Sequence, residues 1–242
     1  MDYRSDGSDT ASVNNERPMA PRNLRVPISA AFDLCSQVVK VKAGQGDEGI
    51  VLQIHQDILS RHAEYFKRVV KPEWAELRDD PEVIDMGPTH TAEEVRCFFH
   101  WLYSGSIPTR DFDYDNGTKT DPVWIDLASA YVFGEKIMDQ KYKRAVLETI
   151  AGVKREAPDY PCAEAFVIVY DGTPEGSPAR RLLVDMYAYG AIDAPDWNEE
   201  LDLLPHEALA DVVRATIKVR RDNPARPWKQ TLEAYEEREY GS

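Results

Sequence analysis

Apolar and polar positions divide the chain into segments with different periods. Residues 1 to about 23 are rich in Ser, Asp, Asn, Arg and Pro and carry almost no apolar periodicity. They predict a mostly disordered arm that runs to residue 35. Within that arm, Ile28, Ala31, Phe32 and Cys35 fall at the spacing of one helical face, with Pro27 suited to a first turn. Eight residues hold a helix only with tertiary support.

The period then becomes that of a strand. Gln37 to Ala43 is a β-branched run, Gly44 to Gly49 is a glycine-punctuated turn, and Ile50, Leu52 and Ile54 alternate. Two such runs around a Gly-rich turn predict a hairpin with one buried face. The glycines do not form a phosphate-binding loop: no Gly-Lys-Ser/Thr follows them, and Asp47 and Glu48 would repel phosphate.

Helical spacing follows in pieces. Tyr65, Phe66, Val69 and Val70 share a face that stops before Pro72, and Val83 to Asp85 is a short strand candidate. The clearest signal is Thr91-Ala-Glu-Glu94, the pattern of a capping box. The stripe Val95, Phe98, Phe99, Leu102 and Tyr103 comes next, and Gly105 ends it. Residues 109 to 121 are acidic and polar and read as an exposed loop. Pro122 opens a helix bearing Trp124, Leu127, Ala128, Tyr131 and Val132. Asp139 opens another with Tyr142, Ala145, Val146, Thr149 and Ile150 facing inward.

The remainder reads as helical. Cys162 to Tyr170 and Ala179 to Tyr189 flank a Gly/Pro turn, and Pro205 begins a helix with Leu209, Val212, Val213 and Ile217 on its apolar side. Residues 223–242 read as a tail or a terminal helix. The pattern therefore predicts an α+β chain: a three-stranded or slightly larger sheet with a cluster of short helices over 36–150, then an all-helical extension over 151–222.

Composition narrows the chemistry. The net charge of −14 disfavours nucleic acid and anionic lipid as partners. No run approaches the length needed to span a bilayer, and the polar, acidic start does not resemble a secretory signal. Three well-separated cysteines (Cys35, Cys97, Cys162) suit a reducing compartment, the cytoplasm or nucleus. No metal-ligand spacing and no nucleophile–base pattern occurs, so neither cofactor nor enzymatic activity is expected. Cys97 lies beside the Phe98-Phe99 stripe and reads as a buried, inert thiol. Asp111, Asp113 and Asp115 alternate, but the Gly and Glu that would complete a calcium loop fall at the wrong offsets. His55 reads as a partly buried histidine bonded to backbone at a helix start.

The order of these signals resembles the BTB/POZ family. The resemblance is carried by Val38-Val-Lys-Val41, a glycine turn, Ile54-His55, Ile58-Leu59-Ser60 and Tyr65-Phe66. It continues through Phe98-Phe99, Trp101-Leu102-Tyr103-Ser104-Gly105 and Ala130-Tyr131-Val132-Phe133-Gly134-Glu135-Lys136. It covers roughly residues 36 to 150, and the layout is most similar to the small fungal BTB proteins with a helical C-terminal extension.

The resemblance implies protein–protein interaction. One role is an adaptor of a cullin-type ubiquitin ligase, with Phe112, Tyr114 and Tyr65 as candidate partner-contact residues. The family's hydrophobic-x-Glu signal has its nearest equivalents here at Phe112-Asp113-Tyr114 and Tyr114-Asp115-Asn116, neither of which ends in Glu. The other role is a self-associating scaffold or regulator without a ubiquitin function, a homodimer using Ile28 and Phe32.

Overall fold

The computed structural model describes residues 25, 27–46, 49–78, 80–111, 122–156, 159–192, 195–222, 232 and 235. The chain divides into two units, Met1–Phe32 and Asp33–Ser242. In the first, the described residues form one 3-10 turn, Ile28–Ala30, closed by the Ala31 N–H on the Ile28 carbonyl at 3.1 Å. The longer helix suggested by the spacing of Ile28, Ala31, Phe32 and Cys35 does not form. Ile28 and Phe32 are exposed, and a short helix needs its apolar face buried to hold further turns.

The second unit opens with the predicted hairpin. Strands β1 (Val38–Ala43) and β2 (Ile50–His55) pair antiparallel, with Val41 opposite Leu52 and Val39 opposite Ile54. Strand β3 (Val83–Asp85) lies parallel on the other side of β1, giving the order β2-β1-β3. The sheet is therefore mixed. Its buried face carries Val41, Ala43, Ile54 and Ile84. On its other face, Lys40 meets Glu82 at 3.1 Å and Lys42 meets Asp85 at 3.2 Å. Both pairs are exposed, and they fix register more than they add stability.

Three short helices follow β2: α1 (Gln56–Ser60), α2 (Glu64–Val69) and α3 (Pro72–Ala75). Pro72 does not simply stop α2; it opens α3, where its missing N–H costs nothing. Helix α4 (Ala92–Ser104) starts in the capping box the sequence announces. The Thr91 hydroxyl accepts the Glu94 N–H at 3.2 Å, and the Glu94 carboxylate accepts the Thr91 N–H at 2.8 Å. Gly105 ends it at a φ of 72°, a left-handed conformation that a side chain would disfavour.

Helices α5 (Pro122–Lys136) and α6 (Gln140–Glu156) meet at a tight corner. There the Asp139 N–H reaches the Gly134 carbonyl at 3.0 Å, while Met138 takes the left-handed position with φ 55°. Asp139 then accepts the Tyr142 N–H at 3.0 Å, so it caps α6 as its position suggests.

Among the described residues four more helices follow: α7 (Ala163–Gly172), α8 (Pro178–Gly190), α9 (Pro195–Leu203) and α10 (His206–Asp222). Helix α9 has no counterpart in the sequence reading. Its Glu200 accepts the Ala163 N–H at 2.6 Å, meeting the open start of α7. Helix α10 buries Ala208 and Val212, whereas Val213 and Ile217, expected inward, are exposed. Arg180 is buried on α8. It bonds the Tyr170 carbonyl at 2.6 Å, the Thr173 hydroxyl at 3.1 Å and Glu207 at 2.8 Å, and so ties the α7–α8 turn to α10. A continuous hydrophobic cluster runs from Val41 and Ile84 through Phe98 and Phe133 to Phe166 and Tyr187. The result is a mixed three-stranded sheet followed by a largely helical region, an α+β architecture.

Candidate protein-interaction surface

The segments that stand out in the sequence converge on Phe98. Its ring, fully buried on α4, stacks on Phe66 of α2 with centroids 5.9 Å apart. It meets Phe133 of α5 at 5.6 Å and the edge of Tyr142 of α6 at 5.0 Å. Such contacts add specific geometry to the large area these rings remove from water. At the end of α4, the Tyr103 hydroxyl accepts the His55 backbone N–H at 3.2 Å and pairs with ring Nδ1 of the same residue at 2.8 Å. His55 is half-buried, as expected, but its ring partner is a phenol and not the backbone.

A groove of about 760 Å³ lies between α4, α5 and the extended segment that follows Gly105. Glu93, Arg96 and His100 line the α4 side, Ile125 and Asp126 the α5 side, and Pro108 and Arg110 the segment. Arg110 fastens that segment to α5. Its backbone N–H reaches Asp126 at 2.8 Å, and its guanidinium grips the same carboxylate through Nη2 at 2.7 Å and Nε at 3.1 Å. This two-pronged pair has the geometry that gives Arg–carboxylate contacts their directionality, and it holds the guanidinium's pKa above its ordinary value. Cys97 sits in the groove wall with Sγ 3.2 Å from the Tyr142 hydroxyl. Burial pushes its thiol up, a setting for an unreactive cysteine.

The sequence-derived contact residues divide by place. Phe112 and Tyr114 lie outside the described residues; the segment that leads into them is the one Arg110 anchors in the groove. Tyr65 is half-buried on α2, edge-on to Phe66 at 5.1 Å, and burial raises its hydroxyl pKa. Ile28 and Phe32 sit at and just after the 3-10 turn of the first unit. The structure thus brings Tyr65 into the aromatic cluster and not to the groove. Trp74 on α3 and Leu77 just after it are exposed apolar side chains, 54% and 79% exposed, to which the sequence assigned no contact role. Both lie between acidic residues in a stretch with no clear period, so only their hydrophobicity beside charge could have marked them.

Among the described residues, no group of three His, Cys, Asp or Glu side chains is placed to hold a metal ion. No described helix is long and apolar enough to cross a membrane. No protein-family model matches the sequence, and comparison with curated proteins finds no relative.

Proposed function

We propose that this chain is a protein–protein interaction module of the BTB/POZ type, acting in the cytoplasm or nucleus by holding other proteins. The observation that carries the reading is the meeting at Phe98. The Tyr65-Phe66 helix start, the Phe98-Phe99 to Gly105 helix end and the Ala130 to Lys136 helix are far apart in sequence, and each carries a separate part of the resemblance. Their aromatic rings pack together around one buried phenylalanine. The His55–Tyr103 bond joins a fourth part, the Ile54-His55 strand end, to the same helix. Ordered motifs that come together in one core support a family reading better than motifs merely present in order.

The role we favour within that reading is an adaptor for a cullin-type ubiquitin ligase. The contact face is the α4–α5 groove and the anchored segment leading to Phe112 and Tyr114. Affinity capture of the full chain from its native extract, read by mass spectrometry, tests this. A cullin scaffold recovered with the wild type and lost when Phe112 and Tyr114 are both replaced by Ala supports the adaptor. Capture of the cullin by both forms removes these two residues from the interface. Absence of any cullin removes the ligase role.

A second reading, a self-associating scaffold or regulator without a ubiquitin role, draws on the exposure of Ile28 in the 3-10 turn and of Phe32 beyond it. Full burial of an exposed isoleucine against another surface is worth about 1.5–3 kcal/mol. A specific interface needs on the order of 1,000 Å² or more. A dimeric mass that falls to the monomer on replacing Ile28 and Phe32 by Ser supports it.

A further inference from the structure

Between α1 and α2, the ring of His62 turns inward against the edge of Trp101, with centroids 5.1 Å apart. Its Nδ1 faces Asp139 Oδ2 at 3.9 Å, beyond hydrogen-bond reach. Both atoms are buried, and neither has a hydrogen-bond partner among the described residues. Asp139 itself is 4% exposed and spends its other oxygen on capping α6. Two buried polar atoms left unbonded are costly, and protonating one of them changes that cost because a buried charge is costlier than a buried dipole.

We propose that His62 and Asp139 form an acid-sensitive joint between the turn that leads into α2 and the start of α6. With His62 neutral, the ring sits in its apolar seat against Trp101. A proton puts a full charge into that seat. The attraction of Asp139 offsets the cost only in part, because its carboxylate stands too far off to bond. The surrounding charges oppose protonation as well: Arg61 in the same turn, Lys67 on α2 and Lys141 on α6 are all cationic. From α4 the seat receives Trp101, a ring with no titratable group. Burial is the largest influence and, with these cations, holds the His62 pKa below its ordinary value.

The sign follows from linkage. A histidine whose folded pKa lies below its unfolded value favours the folded state fully above the unfolded pKa. That contribution is lost as the pH falls from there through the folded value. Acidification therefore loosens the turn and, with it, the start of α2. The joint operates whether or not α2 meets a partner.

Hydrogen exchange of the full chain, followed by mass spectrometry at several pH values between neutral and about 5 and corrected for intrinsic exchange, tests this. Peptides covering residues 61–70 and 137–142 are expected to open more readily as the pH falls. The rise approaches about tenfold for each unit by which the folded pKa lies below the unfolded one. His62→Gln, which keeps a polar side chain but cannot titrate, should remove the rise. Asp139→Asn should enlarge it by withdrawing the attraction that favours the proton. The proposal is overturned if the wild type shows no such rise, if His62→Gln keeps it, or if the His62 ring titrates by NMR at or above its ordinary value.

Discussion

The Tyr103 hydroxyl sits 2.8 Å from His55 Nδ1 and 3.2 Å from the His55 backbone N–H, joining the last turn of α4 to the end of β2 across 48 residues. One phenol oxygen thus meets both the ring and the backbone of a residue at which a strand becomes a helix. The Gln56 N–H bonds the Gln37 carbonyl at 2.8 Å, so the chain is held on both sides of that change.

Replacing Tyr103 by Phe removes both contacts and little apolar area. Tyr103 is 48% exposed, so water can take up part of the loss. The expected cost is about 1 kcal/mol, read as a lower midpoint in urea with an unchanged slope. A variant as stable as the wild type would mean that water replaces the phenol completely.

Thr91→Ala removes the hydroxyl half of the capping box and leaves Glu94 in place. The expected loss is about 1 kcal/mol, while Thr91→Ser should retain most of the stability because it keeps the accepting oxygen. Urea unfolding of the two variants side by side separates the cap from any effect of side-chain size.

Met138 holds a left-handed backbone at the α5–α6 corner, and its side chain is half exposed. Met138→Gly relieves a cost of about 1–2 kcal/mol that an L side chain carries there. It also gives the unfolded chain more freedom, so the net gain is expected to be about 0.5–1 kcal/mol. Thermal unfolding checks the sign: a higher midpoint for Met138→Gly than for the wild type.

Gly172 lies where α7 crosses α5. A Cβ placed on it would overlap the Val132 side chain, with the two methyl carbons within 2.4 and 2.6 Å. Valine is stiff about its single χ1, so it cannot swing aside cheaply. Gly172→Ala is expected to cost about 1–3 kcal/mol by overpacking. The double variant Gly172→Ala with Val132→Ala should recover part of that, although Val132→Ala alone destabilises. Additive losses would show that the clash does not govern this crossing.

Legibility in the sequence followed how local the determinants are. The hairpin, the capping box of α4, Gly105 and the cap at Asp139 each depend on residues a few positions apart, and each formed as read. Features set by distant partners were not visible. Ile28, Ala31, Phe32 and Cys35 have helical spacing, yet the described residues form one 3-10 turn there, with Ile28 and Phe32 exposed. Val213 and Ile217 match the period of α10 but lie on its outer side, since Ala208 and Val212 fill the contact with the core. Helix α9 offers only Trp197 and Leu201 at helical spacing among acidic residues. Its position is secured by Glu200 at the start of α7, a pairing across 37 residues. On α4, the stripe Val95, Phe98, Phe99 and Leu102 is buried as its spacing suggests, whereas Tyr103, expected with them, is exposed and turns to His55. The groove beside α4 is lined by the Arg110–Asp126 pair, which no local pattern announces.

Sedimentation of the purified full chain, alone and mixed with a purified cullin scaffold, tests the central claim most directly. An interaction module of the adaptor kind should form a complex with the cullin at micromolar concentration, and alanines at Phe112 and Tyr114 should abolish it. A monomer that stays a monomer alone, and sediments apart from the cullin in the mixture, would contradict both the adaptor and the self-associating scaffold.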